Sequence, residues 1–200
     1  MSHSPKSVAI LGGSFDPVHL GHMSLAEEAY KQVGLEEVWF MPAAQSPLKK
    51  HQTFLGAKER IELLEAAVSE DAAFKVNRSE IDRGGISFTV DTLKRLKATH
   101  PETEFSWIIG GDQLQLLEKW KDIEELCSLM EFSVRSRPGY EIDRTKIPAI
   151  PGLRFSEVKS SMLDIASSDI RRMIAAGESV NHLLPTAVHE LIVAHKYYRD

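Results

Sequence analysis

The sequence predicts an α/β domain over residues 1–200, built on a doubly wound and mostly parallel sheet. Short apolar runs alternate with longer stretches of helical period, which is typical of strands joined by crossover helices. Two of these runs end in Gly-Gly pairs, and no repeat or low-complexity linker divides the chain. Because ligands bind at the carboxyl ends of the strands in such sheets, we expect the functional site there.

The first strand, helix and second strand form the clearest unit. Residues 8–11 are a short apolar run that stops at Gly12 and Gly13, as a buried strand would. A helical stripe follows over Leu20–Val33 and ends at a glycine, and residues 38–41 form the next apolar run. A helix joins the two strands, so they should be parallel and the crossover right-handed.

The same alternation continues to the end of the chain. Further helices are predicted at Ala57–Val68 and at residues 90–97, 112–117, 123–126, 168–176 and 186–197. Further strands are predicted at residues 73–76, 105–109, 130–134 and 153–155. Polar or Gly- and Pro-containing stretches at residues 45–53, 82–87 and 137–151 are predicted to be irregular.

Composition excludes several classes of protein. The 24 Lys and Arg against 29 Asp and Glu give a net charge of -5, which argues against a protein that coats nucleic acid or an anionic membrane. The single cysteine, Cys127, excludes an intramolecular disulfide and a zinc site built on cysteines. The apolar run near the start is too short for a signal peptide or a membrane span. We therefore expect a cytoplasmic protein with no nucleic-acid or membrane partner, and a homo-oligomer is left open.

The segment from Gly12 to His22, GGSFDPVHLGH, predicts a phosphate site between the first strand and the first helix. Glycines let backbone N–H groups approach a phosphate, and a helix N-terminus adds positive potential. His19 and His22, three residues apart, would share one face of the first turn. The alternatives are a plain turn, a metal site with Asp16 as the only obvious third ligand, and a dinucleotide turn, although Gly-x-Gly-x-x-Gly is missing.

Three other positions carry candidate chemistry. Ser167 or Ser168 suits a helix N-cap, and Arg171 could reach a phosphate with its planar fork of donors, unless it is simply solvated. Asp112 could bind a ribose hydroxyl or cap the next helix. Trp120 could belong to the core or stack on a flat ring.

Two of these segments resemble motifs of the nucleotidyltransferases that share the His-x-Gly-His motif, here residues 19–22. Residues 165–171 resemble the Ile-Ser-Ser-Thr-x-Ile-Arg motif, with Ala166 and Ser168 replacing two of its hydroxyl positions. The resemblance implies a Rossmann-like nucleotidyltransferase fold in which the histidines stabilise the transition state of adenylyl transfer. Class I aminoacyl-tRNA synthetases have a related motif but are usually far longer.

Within that superfamily, the sequence is similar to bacterial nicotinate-nucleotide adenylyltransferases. That family has Gly-x-Asp followed by a tryptophan beside the pyridine ring, which matches Trp120. Residues 86–93 look like its Ser-Tyr-Thr-x-Asp-Thr-Leu segment, which puts Thr89 at the pyridine carboxylate; a helix cap is the alternative. Where the family often has Asn-Pro-Pro-His-Lys, this chain reads QSPLK, so only Pro47 and Lys49 persist.

The resemblance implies transfer of AMP from ATP to nicotinate mononucleotide, in NAD biosynthesis, with Mg²⁺ carried by the ATP phosphates and no metal ligand from the protein. The implied catalytic residues are His19, His22 and Arg171. The implied ATP-binding residues are Gly12, Gly13, Ser14, Phe15, Gly110, Asp112, Ser167 and Ser168. The implied mononucleotide-binding residues are Lys49, Thr89, Trp120 and Arg137. The rival functions are a sibling transferase acting on nicotinamide mononucleotide or phosphopantetheine, and a nucleotide sensor without activity.

Overall fold

The computed structural model describes residues 5–47, 53–136, 142–160 and 165–199. Its strands are β1 (Lys6–Gly13), β2 (Glu37–Pro42), β3 (Phe74–Val76), β4 (Thr103–Gly110), β5 (Glu131–Ser136) and β6 (Phe155–Lys159). Its helices are α1 (Leu20–Val33), α2 (Ala57–Val68), α3 (Ser79–Arg83), α4 (Thr89–Thr99), α5 (Gly111–Leu114), α6 (Ile123–Leu129), α7 (Ser167–Ala175) and α8 (Thr186–His195). Short 3₁₀ turns occupy Leu117–Lys119 and Arg144–Lys146.

All six strands lie in one parallel sheet in the order β3-β2-β1-β4-β5-β6. The chain runs outward from β1 to one edge, returns to β4, and runs outward to the other edge. This order is that of a doubly wound sheet, so the predicted fold class is confirmed. The strand order reverses between β1 and β4, where such sheets bind their ligands.

The sheet is buried on both faces, which explains the unbroken apolar run in β1. Val8 and Ile10 join a core cluster with α4 and α6, whereas Ala9 and Leu11 join the cluster on the other face with α1, α2, α7 and α8. A strand covered on both sides needs apolar residues at consecutive positions. The run predicted at residues 8–11 therefore marks the centre of the sheet.

Two predicted elements are displaced. The last strand is Phe155–Lys159 rather than 153–155, because only Val158 in this edge strand is fully buried and the rest of it carries no apolar run. The loop predicted at residues 82–87 begins later, since Ser79–Arg83 form α3. The Asn77 side chain accepts the Ser79 N–H at 3.0 Å and begins that turn, and Gly84 ends it at φ 70°.

Helix ends also differ from the prediction. The helix predicted at 112–117 is split into α5 and the 3₁₀ turn Leu117–Lys119. The last helix ends at His195 because Lys196 takes left-handed backbone angles. Neither Ser167 nor Ser168 is the N-cap of α7; Ala166 holds that position, and the Ser167 hydroxyl donates instead to the Pro17 carbonyl at 3.0 Å. Among the described residues, no helix is long and apolar enough to cross a membrane.

Candidate active site at the carboxyl ends of the strands

A cavity of about 1190 Å³ opens at the carboxyl end of β1, at the point where the strand order reverses. The predicted site residues that line it are Gly12, Gly13, Ser14, Phe15, His22, Thr89, Trp120, Ser167, Ser168 and Arg171. These residues come from segments that are far apart along the chain, and the parallel sheet brings them to one edge. Residues 12–18, which end β1 and lead towards α1, lie at the centre of this group and are called the phosphate loop below.

Aromatic rings lie close to the two glycines of the phosphate loop. A Cβ on Gly12 would lie 2.9 Å from Cζ2 of Trp107, and a Cβ on Gly13 would lie 3.0 Å from Cζ of Phe15. Phe15 itself has a φ of 48°, in the left-handed region that bulky residues rarely occupy. Its ring is buried, so packing around the ring holds the backbone of the loop in this conformation.

His19 and His22 lie together at the start of α1. Their ring centroids are 3.7 Å apart, and the backbone N–H of His19 donates to Nδ1 of His22 at 3.3 Å. The Phe15 ring contacts His22 edge-on, with centroids 4.9 Å apart. His22 lines the cavity, whereas His19 is only 5% exposed and lies behind it. The two histidines are therefore brought together, but only one reaches the cavity wall in this arrangement.

The environment of His19 keeps its imidazole neutral. Burial, with a smaller contribution from the positive charge of Arg135, lowers the pKa of His19 from 6.5 to about 4. Its Nδ1 atom is buried and has no hydrogen-bond partner among the described residues. A neutral imidazole carries one N–H donor and one ring nitrogen that accepts.

Arg171 on α7 joins the second motif to the first. Its Nη1 donates to the carbonyl of Asp16 at 2.6 Å, and its guanidinium lies 4.4 Å from the centre of the Phe54 ring. Its Nε atom is buried without a partner in the described part of the chain. The guanidinium is thus fixed beside the phosphate loop with donor capacity left for a ligand.

The Asp16 carboxylate holds two distant segments, a role that the sequence did not indicate. Its carboxylate accepts the N–H of Phe54 at 2.7 Å, the N–H of Leu55 at 3.3 Å and the hydroxyl of Tyr198 at 2.8 Å. Burial and the Asp16 charge raise the pKa of Tyr198, which therefore remains a donor. Because these three donors come from chain segments that are distant in sequence, no local pattern could reveal them.

Arg60 also stabilises the phosphate loop. Its side chain is 2% exposed, and Nη1 donates to the carbonyls of Ser14 at 2.8 Å and Ala43 at 3.0 Å. Burial lowers the pKa of this guanidinium below its ordinary value, with the charge of Asp16 acting in the opposite direction. A sequence signal existed here, because Arg60 falls on the helical stripe of Leu63 and Leu64 and is therefore expected to point inward.

The far end of the cavity is formed by α4 and the segment before α6. Trp120 lines the cavity and also packs edge-to-face on Phe132, with centroids 6.1 Å apart, so it contacts both core and cavity. Thr89 is the first residue of α4, and Phe88 rather than Thr89 is the N-cap. Lys121 lies 4.9 Å from the centre of the Phe88 ring, which places a cation at this end.

Besides His19, four predicted site residues are not seen in the cavity wall. Gly110 and Asp112 lie beside it at the end of β4, where Asp112 is exposed and the N–H of Gly110 donates to Oε1 of Gln113 at 3.3 Å. Lys49 and Arg137 lie outside the described residues. Within the described ranges, no group of three or more His, Cys, Asp or Glu side chains is placed to hold a metal ion.

This fold and this site define a nucleotidyltransferase. A family model described as cytidylyltransferase-like matches residues 10–173, which include both motifs. A protein of Plasmodium falciparum, a nicotinic acid mononucleotide adenylyltransferase solved with NaAD, has a TM-score of 0.76 over 96% of this chain and 97% of its own. At 19% identity, that similarity shows the fold alone.

Sequence comparison identifies the family more narrowly. A protein of Lactiplantibacillus plantarum named "Probable nicotinate-nucleotide adenylyltransferase" is 39% identical over 98% of this chain and 89% of its own length. A protein of Bacillus pumilus with the same name is 37% identical over 98% of this chain and 100% of its own. The chain belongs to the nicotinate-nucleotide adenylyltransferase family, and the resemblance drawn from the sequence is confirmed.

Proposed function

We propose that this chain transfers AMP from ATP to nicotinate mononucleotide, releasing pyrophosphate and forming nicotinate adenine dinucleotide for NAD biosynthesis. Family membership supports this reaction, and the observation that carries it is the grouping of His22, His19 and Arg171 at one phosphate loop. These three residues supply hydrogen-bond donors, which the phosphate oxygens of ATP require.

The reaction needs no covalent enzyme intermediate. The 5′-phosphate oxygen of the mononucleotide attacks the α-phosphorus of ATP in line, and the bond from that phosphorus to the bridging oxygen of pyrophosphate breaks. Catalysis then consists of positioning both substrates and stabilising the charge that develops on the phosphate oxygens. His22 reaches the reacting phosphate from the cavity wall. His19 is enclosed behind the wall and holds the His22 ring through its backbone N–H.

The remaining residues bind the two substrates. Gly12, Gly13, Ser14 and Phe15 give backbone contacts to ATP, Ser167, Ser168 and Arg171 hold its outer phosphates, and Gly110 and Asp112 serve its ribose. Trp120 stacks on the pyridine ring, and Thr89 contacts its carboxylate. Lys49 and Arg137 complete the mononucleotide site.

Mg²⁺ enters with ATP, bound by the phosphates. Asp16, a buried carboxylate in the phosphate loop, already accepts three hydrogen bonds and has little capacity left for a cation. The neutralising charge on the protein side comes from Arg171. We also propose a single nucleotidyltransferase domain over residues 1–200 that works in the cytoplasm, either alone or as a homo-oligomer.

Pyrophosphate release tests the function directly. The protein is incubated with ATP and Mg²⁺ and, in separate reactions, with nicotinate mononucleotide, nicotinamide mononucleotide or phosphopantetheine. We expect the highest kcat/KM with nicotinate mononucleotide. A preference for either other acceptor would identify a sibling transferase, and no release with any acceptor would identify a nucleotide sensor.

A further inference from the structure

We propose that Glu80 is a positioning residue for the mononucleotide end of the cavity, where it holds the segment 87–89 in place from both sides. The proposal rests on the proposed function, because it assigns that segment to binding of the nicotinate mononucleotide. Glu80 lies on α3, a helix that the sequence did not predict, and it lines the cavity although its side chain is only 4% exposed.

Two hydroxyl groups converge on this buried carboxylate. Oγ1 of Thr92, in the first turns of α4, lies 2.7 Å from Oε1 of Glu80. The Ser87 hydroxyl also hydrogen-bonds to Glu80. Since Ser87 precedes the segment that enters the cavity and Thr92 follows it, one carboxylate fixes both flanks of Phe88 and Thr89.

The direction of both hydrogen bonds is set by the other neighbours of each hydroxyl. Thr92 Oγ1 accepts from Nη1 of Arg83 at 3.2 Å, and Ser87 Oγ accepts from the N–H of Ala44 at 3.1 Å. A guanidinium and a backbone amide can only donate, so each hydroxyl hydrogen is left to point at Glu80. Glu80 is therefore the acceptor of both bonds, and these side chains form a directed network.

This network ties the segment to the end of β2 as well. The Ser87 N–H donates to the carbonyl of Gln45 at 2.9 Å, and Nη2 of Arg83 donates to the carbonyl of Ile86 at 3.2 Å. Burial raises the pKa of Glu80, and the hydrogen bonds from Thr92 and Ser87 oppose that rise. Removing the carboxylate would leave two buried hydroxyls without an acceptor and free the segment that carries Thr89.

The test compares Glu80→Ala and Glu80→Gln with Asp82→Asn, an exposed carboxylate on the same helix. In Glu80→Ala, which loses both hydrogen bonds, the KM for nicotinate mononucleotide should rise about tenfold because binding must then order the loosened segment, while the KM for ATP changes less than about twofold. Glu80→Gln should restore part of the affinity, because its amide oxygen can still accept from Thr92. Asp82→Asn should match the wild type.

Hydrogen exchange gives a second readout that does not depend on activity. In Glu80→Ala, the amides of residues 87–90 should exchange faster than in the wild type, and those of α6 should not. If Glu80→Ala does not fold, Thr92→Val removes one of the two bonds with little change in shape and takes its place.

The proposal is overturned if both KM values rise by the same factor, if neither rises, or if exchange of the segment is unchanged. A wild type that releases no pyrophosphate would refute the proposed function instead, and the exchange experiment would still decide the role of Glu80.

Discussion

His19 and His22 occupy different environments although their rings are in contact. His22 lies in the wall of the cavity, whereas His19 is enclosed and its pKa is lowered to about 4 by burial and by the charge of Arg135. The two histidines therefore differ in their environment although they are only three residues apart. In the proposed reaction the outer ring contacts the substrate, and the backbone N–H of His19 orients that ring.

Replacing the outer histidine should abolish most of the activity without unfolding the protein. His22→Ala should lower kcat by about 10²- to 10³-fold, the usual effect of losing one preorganised donor. The melting temperature should change little because His22 is partly exposed. The exposed His182→Ala is the matched control. A His22→Ala enzyme with wild-type turnover would contradict the assignment.

The inner histidine should make the fold sensitive to mild acid. The unfolded chain binds a proton on this residue near pH 6.5 and the folded chain only near pH 4, so the stabilisation is complete above about pH 6.5 and is lost as the pH falls towards 4. We expect about 2 kcal/mol of this loss between pH 7 and pH 5. In urea unfolding, the free energy of unfolding of His19→Asn should fall less than that of the wild type between pH 7 and pH 5, by this same amount. His182→Asn should behave like the wild type. An identical pH slope in His19→Asn would contradict the lowered pKa.

At the scale of elements, the phosphate loop is held by parts that follow it by a long stretch of chain. Arg171, 155 residues after Asp16, and Tyr198, 182 residues after it, both bond to that one residue. The docking of α7 and of the segment after α8 therefore stabilises the shape of the loop.

Loss of the Tyr198 hydroxyl should weaken this docking. Tyr198→Phe leaves a buried Asp16 oxygen with one donor fewer, which should cost about 1–3 kcal/mol of the free energy of unfolding. The neighbouring Tyr197→Phe is the control, because Tyr197 stacks on His195 through its ring and this contact survives. Urea denaturation of both variants gives the comparison. Equal losses in the two would show that the Asp16 contact is not special.

Elements with a regular apolar pattern were predictable from the sequence, and those fixed by polar contacts were not. The stripe of α1 and the run in β1 gave bounds close to the observed ones because burial dictates their composition. The strand β6 lies at an edge and has one fully buried residue, so it leaves almost no periodic signal. The short helix α3 depends on an Asn77 side-chain bond and a glycine stop.

The same distinction applies to the site. The glycines, His22 and Arg171 belong to short motifs and could be found by reading the chain. Asp16, Glu80 and their partners act through contacts between distant segments, which only the three-dimensional structure reveals.

At the scale of the whole molecule, the cavity and a cluster of charged residues around Glu37 lie at opposite ends of the sheet. At the amino end, opposite to the cavity, Glu37 accepts hydrogen bonds from Lys6 at 2.8 Å, from Lys75, and from the Trp39 indole at 2.8 Å. Burial would raise the pKa of Glu37, but these three bonds outweigh it and lower the pKa to about 2. The strand β2 spans about 17 Å between this cluster and the cavity.

Changing Glu37 should therefore affect stability and leave catalysis intact. Glu37→Gln should lose about 1–2 kcal/mol at pH 7, a modest value because both lysines are half-exposed and screened by solvent. In the wild type, this stabilisation is present above about pH 4.5 and is lost as the pH falls towards 2. Urea unfolding and pyrophosphate release are measured together, with the exposed Glu36→Gln as control. A parallel fall in kcat would show that the two ends are coupled.

The position of Tyr198 has a practical consequence for anyone preparing the protein. Its hydroxyl bonds to Asp16 in the loop that lines the cavity, so an affinity tag or fluorescent label that displaces Tyr198 would disturb that loop. Lys6 begins β1 at the opposite end of that strand, next to Glu37. A label placed at the Lys6 end of β1 would leave the loop undisturbed, and one placed beside Tyr198 would report on changes in it.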